Sequence, residues 1–165
     1  MAKTEGFLKE AFAGESQANR KYLAFAAKAD HEGYSQVARL FRAAAEAETV
    51  HAHSHLRALN GIRGTKENLQ EAIAGETHEF KKMYPEMIEA AKLEGQKVAE
   101  RSFSYANLVE KVHAELYQKL FDNLGKPLEN YPYYICPVCG LTAERGAPAS
   151  CPVCGAKGSQ FRRID

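Results

Sequence analysis

The sequence contains no tryptophan, little methionine and almost no excess of charge of either sign across its 165 residues. A formal net charge of +1 offers no electrostatic attraction for nucleic acid or for an anionic membrane. No apolar run approaches the roughly 18 residues of a membrane span, and no basic and then apolar signal segment opens the chain. We therefore expect a cytoplasmic protein with neither a nucleic-acid partner nor a membrane partner.

Cysteine is also scarce, and all four cysteines belong to two matching Cys-x-x-Cys-Gly motifs. The first motif carries Cys136 and Cys139, and the second carries Cys151 and Cys154. In a reducing compartment such pairs indicate metal ligation rather than a disulfide framework. Four thiolates favour tetrahedral coordination, which suits zinc and a single iron equally. Zinc would make this part of the chain structural, whereas iron would make it an electron carrier.

Proline is nearly absent from the first 124 residues, which are organised in four segments of helical periodicity. These segments cover approximately residues 3–30, 35–60, 65–94 and 96–124. Pro85 lies inside the third segment and is expected to kink it. The composition changes near residue 125, so we predict a mainly α domain over residues 1–125 and a separate module over residues 131–165. About 35 residues bury too little apolar surface to fold alone, so the module needs a metal or a docking surface.

One acidic pattern occurs twice in the helical region. In both copies a glutamate is followed 33 or 34 residues later by a Glu-x-x-His pair. The six residues are Glu15, Glu48 and His51 in the first copy and Glu76, Glu110 and His113 in the second. In helix bundles, a glutamate from each of two helices and a Glu-x-x-His pair from each of the other two bind two iron or manganese ions. The helical periods place these side chains on apolar faces, where buried carboxylates need a multivalent cation. The sequence therefore predicts a four-helix bundle with a dimetal site.

Several other side chains are candidates for the same site. Glu79, one turn after Glu76, has no counterpart in the first copy, and as a ligand it would make the two metals inequivalent. Tyr22 and Tyr84 occupy positions typical of core aromatics, although Tyr22 could also donate its hydroxyl to a metal-bound ligand. His55, one turn beyond the first Glu-x-x-His pair, is equally consistent with a hydrogen-bonding partner of a ligand and with a packing residue.

Together these motifs resemble the rubrerythrin family over essentially the whole chain, with a ferritin-like di-iron bundle followed by a rubredoxin-like module. The resemblance implies seven ligands for the two irons, namely Glu15, Glu48, His51, Glu76, Glu79, Glu110 and His113. Glu48 and Glu110 are then the bridging ligands, and one iron exchanges Glu79 for His51 on reduction. The ligands of the mononuclear iron are matched by Cys136, Cys139, Cys151 and Cys154, and the tyrosines of the peroxide pocket by Tyr22 and Tyr84.

The resemblance also implies an activity. The family reduces hydrogen peroxide to water, and a reduced pyridine nucleotide supplies the electrons through a separate reductase or a rubredoxin. The rubredoxin-like iron relays these electrons to the di-iron centre, so we expect an NADH peroxidase-type oxidoreductase. Two alternatives stay open: a ferritin-like ferroxidase or iron-handling protein that uses oxygen, and a zinc-ribbon interaction protein whose bundle only binds metal.

The short link between the second and third helical segments predicts an exchange of helices between two chains. A site completed within one chain needs His51 and Glu76 at similar height on parallel helices. The helix from His51 to Asn60 is ~13 Å long and that from Thr65 to Glu76 ~16 Å, so the link must return roughly 30 Å. Residues 61–64 span only about 18 Å when extended. We therefore expect a helix-exchanged homodimer, in which the first copy of the pattern in one chain meets the second copy in its partner.

Overall fold

The computed structural model describes residues 3–165 and is mainly helical. Five α-helices come first: α1 is Lys3–His31, α2 is Ser35–Ala58, α3 is Thr65–His78, α4 is Tyr84–Leu93 and α5 is Lys97–Asp122. Three short strands follow, with β1 at Tyr133–Ile135, β2 at Thr142–Glu144 and β3 at Arg162–Ile164. The helix boundaries lie within a few residues of those expected from the helical periods. The prediction of a mainly α chain is confirmed.

Three of the helices end on the same hydrogen-bonded turn. After α1, α2 and α4 the chain passes through a residue with a left-handed backbone, which is Gly33 (φ 83°), Asn60 (φ 54°) and Gly95 (φ 69°) respectively. The N–H of each of these residues donates to the carbonyl three residues back, and the N–H of the next residue donates to the carbonyl five residues back. This pattern satisfies carbonyl groups that the end of a helix leaves unpaired. The breaks expected near these positions therefore have a local cause.

Small side chains allow α1 and α2 to pack closely along one another. The buried residues of this helix pair are all alanines, namely Ala26, Ala29, Ala38, Ala45 and Ala52. A polar contact crosses the same interface, where the Asn19 side-chain amide donates to the Ala45 carbonyl at 2.7 Å and to the Thr49 hydroxyl at 2.8 Å. Because that amide satisfies its hydrogen bonds on α2, it fixes the register of the two helices.

The third helical segment changes its hydrogen-bond pattern before the proline expected to kink it. A π-helical turn, Glu79–Met83, separates α3 from α4, and the Tyr84 N–H donates to the Glu79 carbonyl five residues back. Pro85 follows at the first positions of α4. Proline has no N–H to donate and crowds the preceding turn, and one wider turn relieves that crowding. The sequence predicts the interruption at Pro85, whereas the structure begins it six residues earlier, at Glu79.

The strands form a small antiparallel sheet in the order β2-β1-β3. Tyr134 in the central strand pairs with Ala143 on one side and with Arg163 on the other. One side of this module packs against α5, where Val109 of the helix joins Cys136, Leu141 and Cys151 in a single buried cluster. A core shared with α5 supplies the docking surface that so short a module needs.

The chain divides into two compact units, one ending at Arg63 and the other beginning at Gly64. The first unit contains α1 and α2. The second contains α3, the π turn, α4, α5 and the module. The expected boundaries at residues 1–125 and 131–165 follow composition rather than packing, and they stay a prediction. No helix within residues 3–165 combines the length and the apolarity that crossing a membrane requires.

Candidate metal centres

The four cysteines lie on two knuckles with matching backbone geometry. In each knuckle a glycine, Gly140 (φ 83°) or Gly155 (φ 79°), adopts a left-handed conformation. Its N–H donates to the carbonyl of the first cysteine, at 3.0 Å for Cys136 and 2.9 Å for Cys151. A residue with a β-carbon would be strained at this φ, which explains the glycine that follows each Cys-x-x-Cys. The turn directs both sulfurs of a knuckle to the same point.

The sulfur positions suit a tetrahedral metal. Cys136 Sγ lies 3.5 Å from Cys154 Sγ, and Cys139 Sγ lies 3.5 Å from Cys151 Sγ. These distances are too long for disulfides, and thiolates held at about 2.3 Å from one metal lie roughly 3.7 Å apart. Burial opposes ionisation of Cys151, but N–H groups of Cys154 and Val153 outweigh it and lower the pKa of the Cys151 thiol to about 7. The knuckles therefore fit a single four-coordinate ion.

Three side chains of the first unit converge, and we call them the first half-site: Glu15 on α1 and Glu48 and His51 on α2. One ligand atom from each lies within 4.8 Å of the other two. His51 Nδ1 lies 2.9 Å from Glu48 Oε2. The Glu48 side chain is 17% exposed, whereas that of His51 is 56% exposed. Two carboxylates and one imidazole at this spacing match the donors of one half of a carboxylate-bridged dimetal site.

The second half-site repeats this arrangement in the second unit, with Glu76 on α3 and Glu110 and His113 on α5. His113 Nδ1 lies 2.7 Å from Glu110 Oε2 and 3.8 Å from Glu76 Oε1. All three side chains are half-buried. The i, i+3 spacing within the Glu-x-x-His pair brings both of its side chains to the same face of α5, as in the first half-site. The two copies of the sequence pattern therefore form two groups with the same donor set, one on each unit.

The second half-site concentrates negative charge. Burial, a hydrogen bond with Glu110 and repulsion from the Glu110 charge raise the pKa of Glu76 to about 7. Two carboxyl groups this close cannot both ionise cheaply unless a positive charge lies between them. A divalent or trivalent cation removes that penalty by replacing the shared proton. The donor set and its electrostatics thus fit the metal centre expected from the sequence.

Comparison with known proteins assigns this combination of sites to a family. The family model for rubrerythrin matches residues 6–121, and the model for the rubrerythrin rubredoxin-like domain matches residues 134–162. The chain belongs to the rubrerythrin family. It is 38% identical to rubrerythrin-2 of Clostridium acetobutylicum, over 98% of this chain and 96% of that protein. It is 35% identical to nigerythrin of Nitratidesulfovibrio vulgaris, over 89% of this chain and 79% of that protein.

A solved structure supports the same assignment. Nigerythrin in its mixed-valence state aligns with 99% of this chain and 88% of its own, at 32% identity and a TM-score of 0.60. The prediction of a ferritin-like bundle joined to a rubredoxin-like module is confirmed. This member of the rubrerythrin family carries residues for a di-iron site and a four-cysteine knuckle for a mononuclear iron.

Two further candidates in this rubrerythrin-family chain lie beside the second half-site. Glu79 opens the π turn, and burial, followed by the charge of Glu110, raises its pKa. Burial, followed by the charges of Glu79 and Glu110, raises the pKa of Tyr84, so its hydroxyl keeps its proton. Glu79 does not join the compact group of Glu76, Glu110 and His113. A π turn at this place matches the tendency of such turns to occur at functional sites.

The remaining candidates, Tyr22 and His55, lie in the first unit. Tyr22 packs against Phe25 and Phe41, with ring centroids 6.4 and 6.0 Å apart. Such ring contacts are typical of a core aromatic, and the role of Tyr22 at the metal site stays a prediction. His55 is half-buried, which is consistent both with a hydrogen-bonding partner of a ligand and with a packing residue.

One expectation about the site is wrong. The acids on the apolar faces were expected to be buried, but among residues 3–165 no charged side chain is fully buried. Glu15, Glu48, Glu76, Glu79 and Glu110 are all half-buried. A helical period shows which face of a helix is apolar, but it does not show how many neighbouring helices cover that face. Each half-site lies on a unit with too few helices to enclose it.

Sequence reasoning also missed a residue that contacts the second half-site. Thr142, the first residue of β2, places its hydroxyl 2.9 Å from His113 Nε2. Nearby, the Lys119 ammonium of α5 donates to the Glu144 carboxylate at 2.7 Å. These partners are 29 and 25 residues apart, and no local motif signals either contact. Only the docking of the module on α5 brings them together.

Proposed function

We propose that this chain is a non-haem di-iron peroxidase that reduces hydrogen peroxide to water. One observation carries the proposal: a crowded carboxylate–imidazole group and a four-thiolate site lie in the same unit, and a hydrogen bond between His113 and Thr142 connects the first group to the cysteine module. A protein that only stored or bound iron would have no need for a second, sulfur-ligated ion next to the first site. The pairing suits a reaction that consumes electrons.

The residues would divide the work as follows. The carboxylate site would hold two irons that supply the two electrons for O–O cleavage, and the four cysteines would hold one iron that returns electrons one at a time from the donor. Each peroxide also needs two protons to leave as two waters. Tyr84 keeps its hydroxyl proton and can donate a hydrogen bond beside the carboxylates. The raised pKa of Glu79 favours its protonated form, so this carboxyl group can also donate a proton.

The electrons would come from a reduced pyridine nucleotide through a reductase or a rubredoxin. The support is the exposure of the first knuckle, where Pro137 and Val138 are exposed between two sulfurs. An exposed apolar rim beside a redox ion suits brief contact with a protein electron donor. The cysteine motifs favour a reducing compartment, so the cytoplasm is the proposed location.

We further propose that the working unit is a helix-exchanged homodimer. Each half-site offers three of the expected ligands, and the link between α2 and α3 is short. Leu59 has a helical backbone and Asn60 a left-handed one, so only residues 61–64 can extend. Their reach of about 18 Å falls short of the roughly 30 Å that a site completed within one chain requires. A second copy would also cover large apolar side chains that are exposed on both units, among them Phe25, Leu40, Val50 and Leu108.

Complementation between two inactive chains tests the exchange. Glu48→Ala disables the first half-site and Glu110→Ala disables the second, and two different affinity tags isolate the mixed dimer. In an exchanged dimer both damaged halves fall in one site, so the other site is intact and binds a full di-iron centre. The iron bound at the carboxylate sites and the peroxide turnover should be about half those of the wild-type dimer. A mixed dimer without any intact centre would show that each chain completes its own site.

The choice of oxidant tests the peroxidase proposal. Iron-loaded protein is reduced without oxygen and mixed in a stopped-flow instrument with either peroxide or oxygen. A peroxidase should be oxidised faster by peroxide, with two electrons consumed per molecule. Faster oxidation by oxygen would instead support a ferroxidase or iron-handling role. Zinc in the cysteine site of protein isolated from iron-replete cells would remove the electron path altogether.

A further inference from the structure

The contact between β2 and α5 gives His113 a second hydrogen-bonding partner. Its Nδ1 faces the carboxylates of the second half-site, while its Nε2 lies 2.9 Å from the Thr142 hydroxyl. That hydroxyl in turn lies 3.5 Å from the Gly140 carbonyl, to which it donates. A metal on Nδ1 requires the ring proton to be on Nε2. The directions then agree: His113 donates to Thr142, and Thr142 donates to Gly140.

The surroundings leave few other partners for this ring nitrogen. A cavity of about 390 Å³ adjoins His113 and Thr142, and its remaining walls are the side chains of Leu116, Tyr117, Leu120, Tyr133, Ile135 and Ile164. Most of that lining is apolar, and an N–H without a partner there loses free energy. Thr142 therefore supplies the hydrogen bond that the fixed orientation of His113 needs.

The position of Thr142 is itself fixed by contacts on both sides along the strand. Just before it, Leu141 is 6% exposed and belongs to the buried cluster that includes Val109 of α5. Just beyond it, Glu144 accepts hydrogen bonds from Lys119 of α5. An apolar contact at one end and an ion pair at the other hold β2 in one register along the helix. The Thr142 hydroxyl is thus preorganised rather than mobile.

We propose that Thr142 is a positioning residue for the metal centre, holding the His113 ring with Nδ1 directed at Glu76 and Glu110. The same hydroxyl connects the half-site to the cysteine module, because Gly140 directly follows Cys139 in the first knuckle. The inference rests on the proposed function for the identity of the metal, and its tests do not depend on turnover. Partners of the outer ring nitrogen set the tautomer and the orientation of metal-bound histidines.

Metal affinity tests the positioning role with matched variants. Full-length protein with zinc in the cysteine site is titrated with further zinc against a chelator, which reports on the carboxylate–histidine site. Thr142→Val keeps the shape but removes the hydroxyl, and affinity should fall about 10–100-fold, the usual cost of losing such a partner. Thr142→Ser keeps the hydroxyl and should bind nearly as tightly as wild type. Lys97→Met removes the ion pair between Lys97 and Glu100 of α5, which does not involve β2, and it should also keep its affinity.

A spectroscopic signature separates positioning from general loss of structure. In the zinc-loaded protein, ¹⁵N-detected imidazole spectra should show His113 with its proton on Nε2 and slow exchange of that proton with water. Thr142→Val should speed the exchange, and Thr142→Ser should restore the slow rate. Wild-type affinity and slow exchange in Thr142→Val would overturn the proposal, as would an equal loss of affinity in Lys97→Met. If the zinc results hold but iron-loaded protein does not reduce peroxide, the proposed function fails and the positioning role stands.

Discussion

Val109 is the side chain whose truncation should most directly loosen the module from α5. It is 2% exposed, and its Cγ1 lies 3.9 Å from the point where a β-carbon on Gly140 would stand. It shares a buried cluster with Cys136, Leu141 and Cys151. Val109→Ala removes two methyl groups from this cluster without changing any cysteine or any metal ligand. The module keeps its own strands and knuckles, so the loss falls on the contact with the helix.

The expected cost follows from the apolar groups removed. Each buried methylene equivalent contributes about 0.8 kcal/mol, so two contribute about 1.6 kcal/mol. A cavity that does not collapse adds to this, and the total becomes about 2–3 kcal/mol. Since 1.4 kcal/mol corresponds to a factor of ten, a loss of about 1.6 kcal/mol alone shifts the equilibrium between docked and undocked module about 15-fold toward the undocked state.

Amide hydrogen exchange measures this shift directly. In Val109→Ala, the amides of β2 should exchange at least about 15 times faster than in wild type, while the metal content of the cysteine site stays the same. Val98→Ala is the control, because it removes the same two methyl groups from the same helix at a position that is 74% exposed. Equal exchange in Val109→Ala and wild type, or equal acceleration in both variants, would refute the docking of the module on α5 through this cluster.

Two further predictions concern stability. The pKa of Glu76 is raised from 4.5 to about 7, so folded metal-free protein binds a proton there more tightly than unfolded protein. The stabilisation of the folded state by this proton is complete below pH 4.5 and is lost as the pH rises to 7. Glu76→Gln in a chelator should therefore raise Tm relative to wild type more at pH 8 than at pH 5, and an equal change at both would contradict the assignment. Gly33→Ala should cost about 1–2 kcal/mol because φ is 83°. Gly6→Ala, inside α1, should instead stabilise the protein by about 0.5–1 kcal/mol. Denaturant unfolding measures both changes, and a change of the same sign in the two variants would contradict the role of Gly33 in ending α1.

The parts of this protein that sequence reasoning predicted are those set by short-range rules. A left-handed residue after a helix is a local choice, which is why breaks could be predicted near Gly33 and Gly95. The Glu-x-x-His spacing places both side chains on one helical face whatever the helix packs against. The Cys-x-x-Cys-Gly knuckle is equally local, since its glycine and its backbone hydrogen bond lie within five residues.

The parts that it missed depend on contacts between distant segments. The contact of Thr142 with His113 exists only because β2 docks on α5, and nothing near either residue in the sequence signals it. The π turn at Glu79–Met83 is a choice between two hydrogen-bond registers of one helix, which the helical period does not distinguish. The burial of the glutamates depends on how many helices surround them, which is also a property of packing rather than of sequence period.

The division of labour between the two metal sites is the central claim, and Cys139→Ala tests it most directly. Iron-loaded variant protein is reduced chemically, and the peroxide consumed is measured in a single turnover and then with a continuous supply of reductase and pyridine nucleotide. A control variant, Val98→Ala, changes an exposed valine of α5 that belongs to neither metal site and should behave as wild type in both measurements. We predict that Cys139→Ala keeps its single turnover and loses donor-linked turnover. Equal loss of both, or donor-linked turnover at the wild-type rate, would contradict the account.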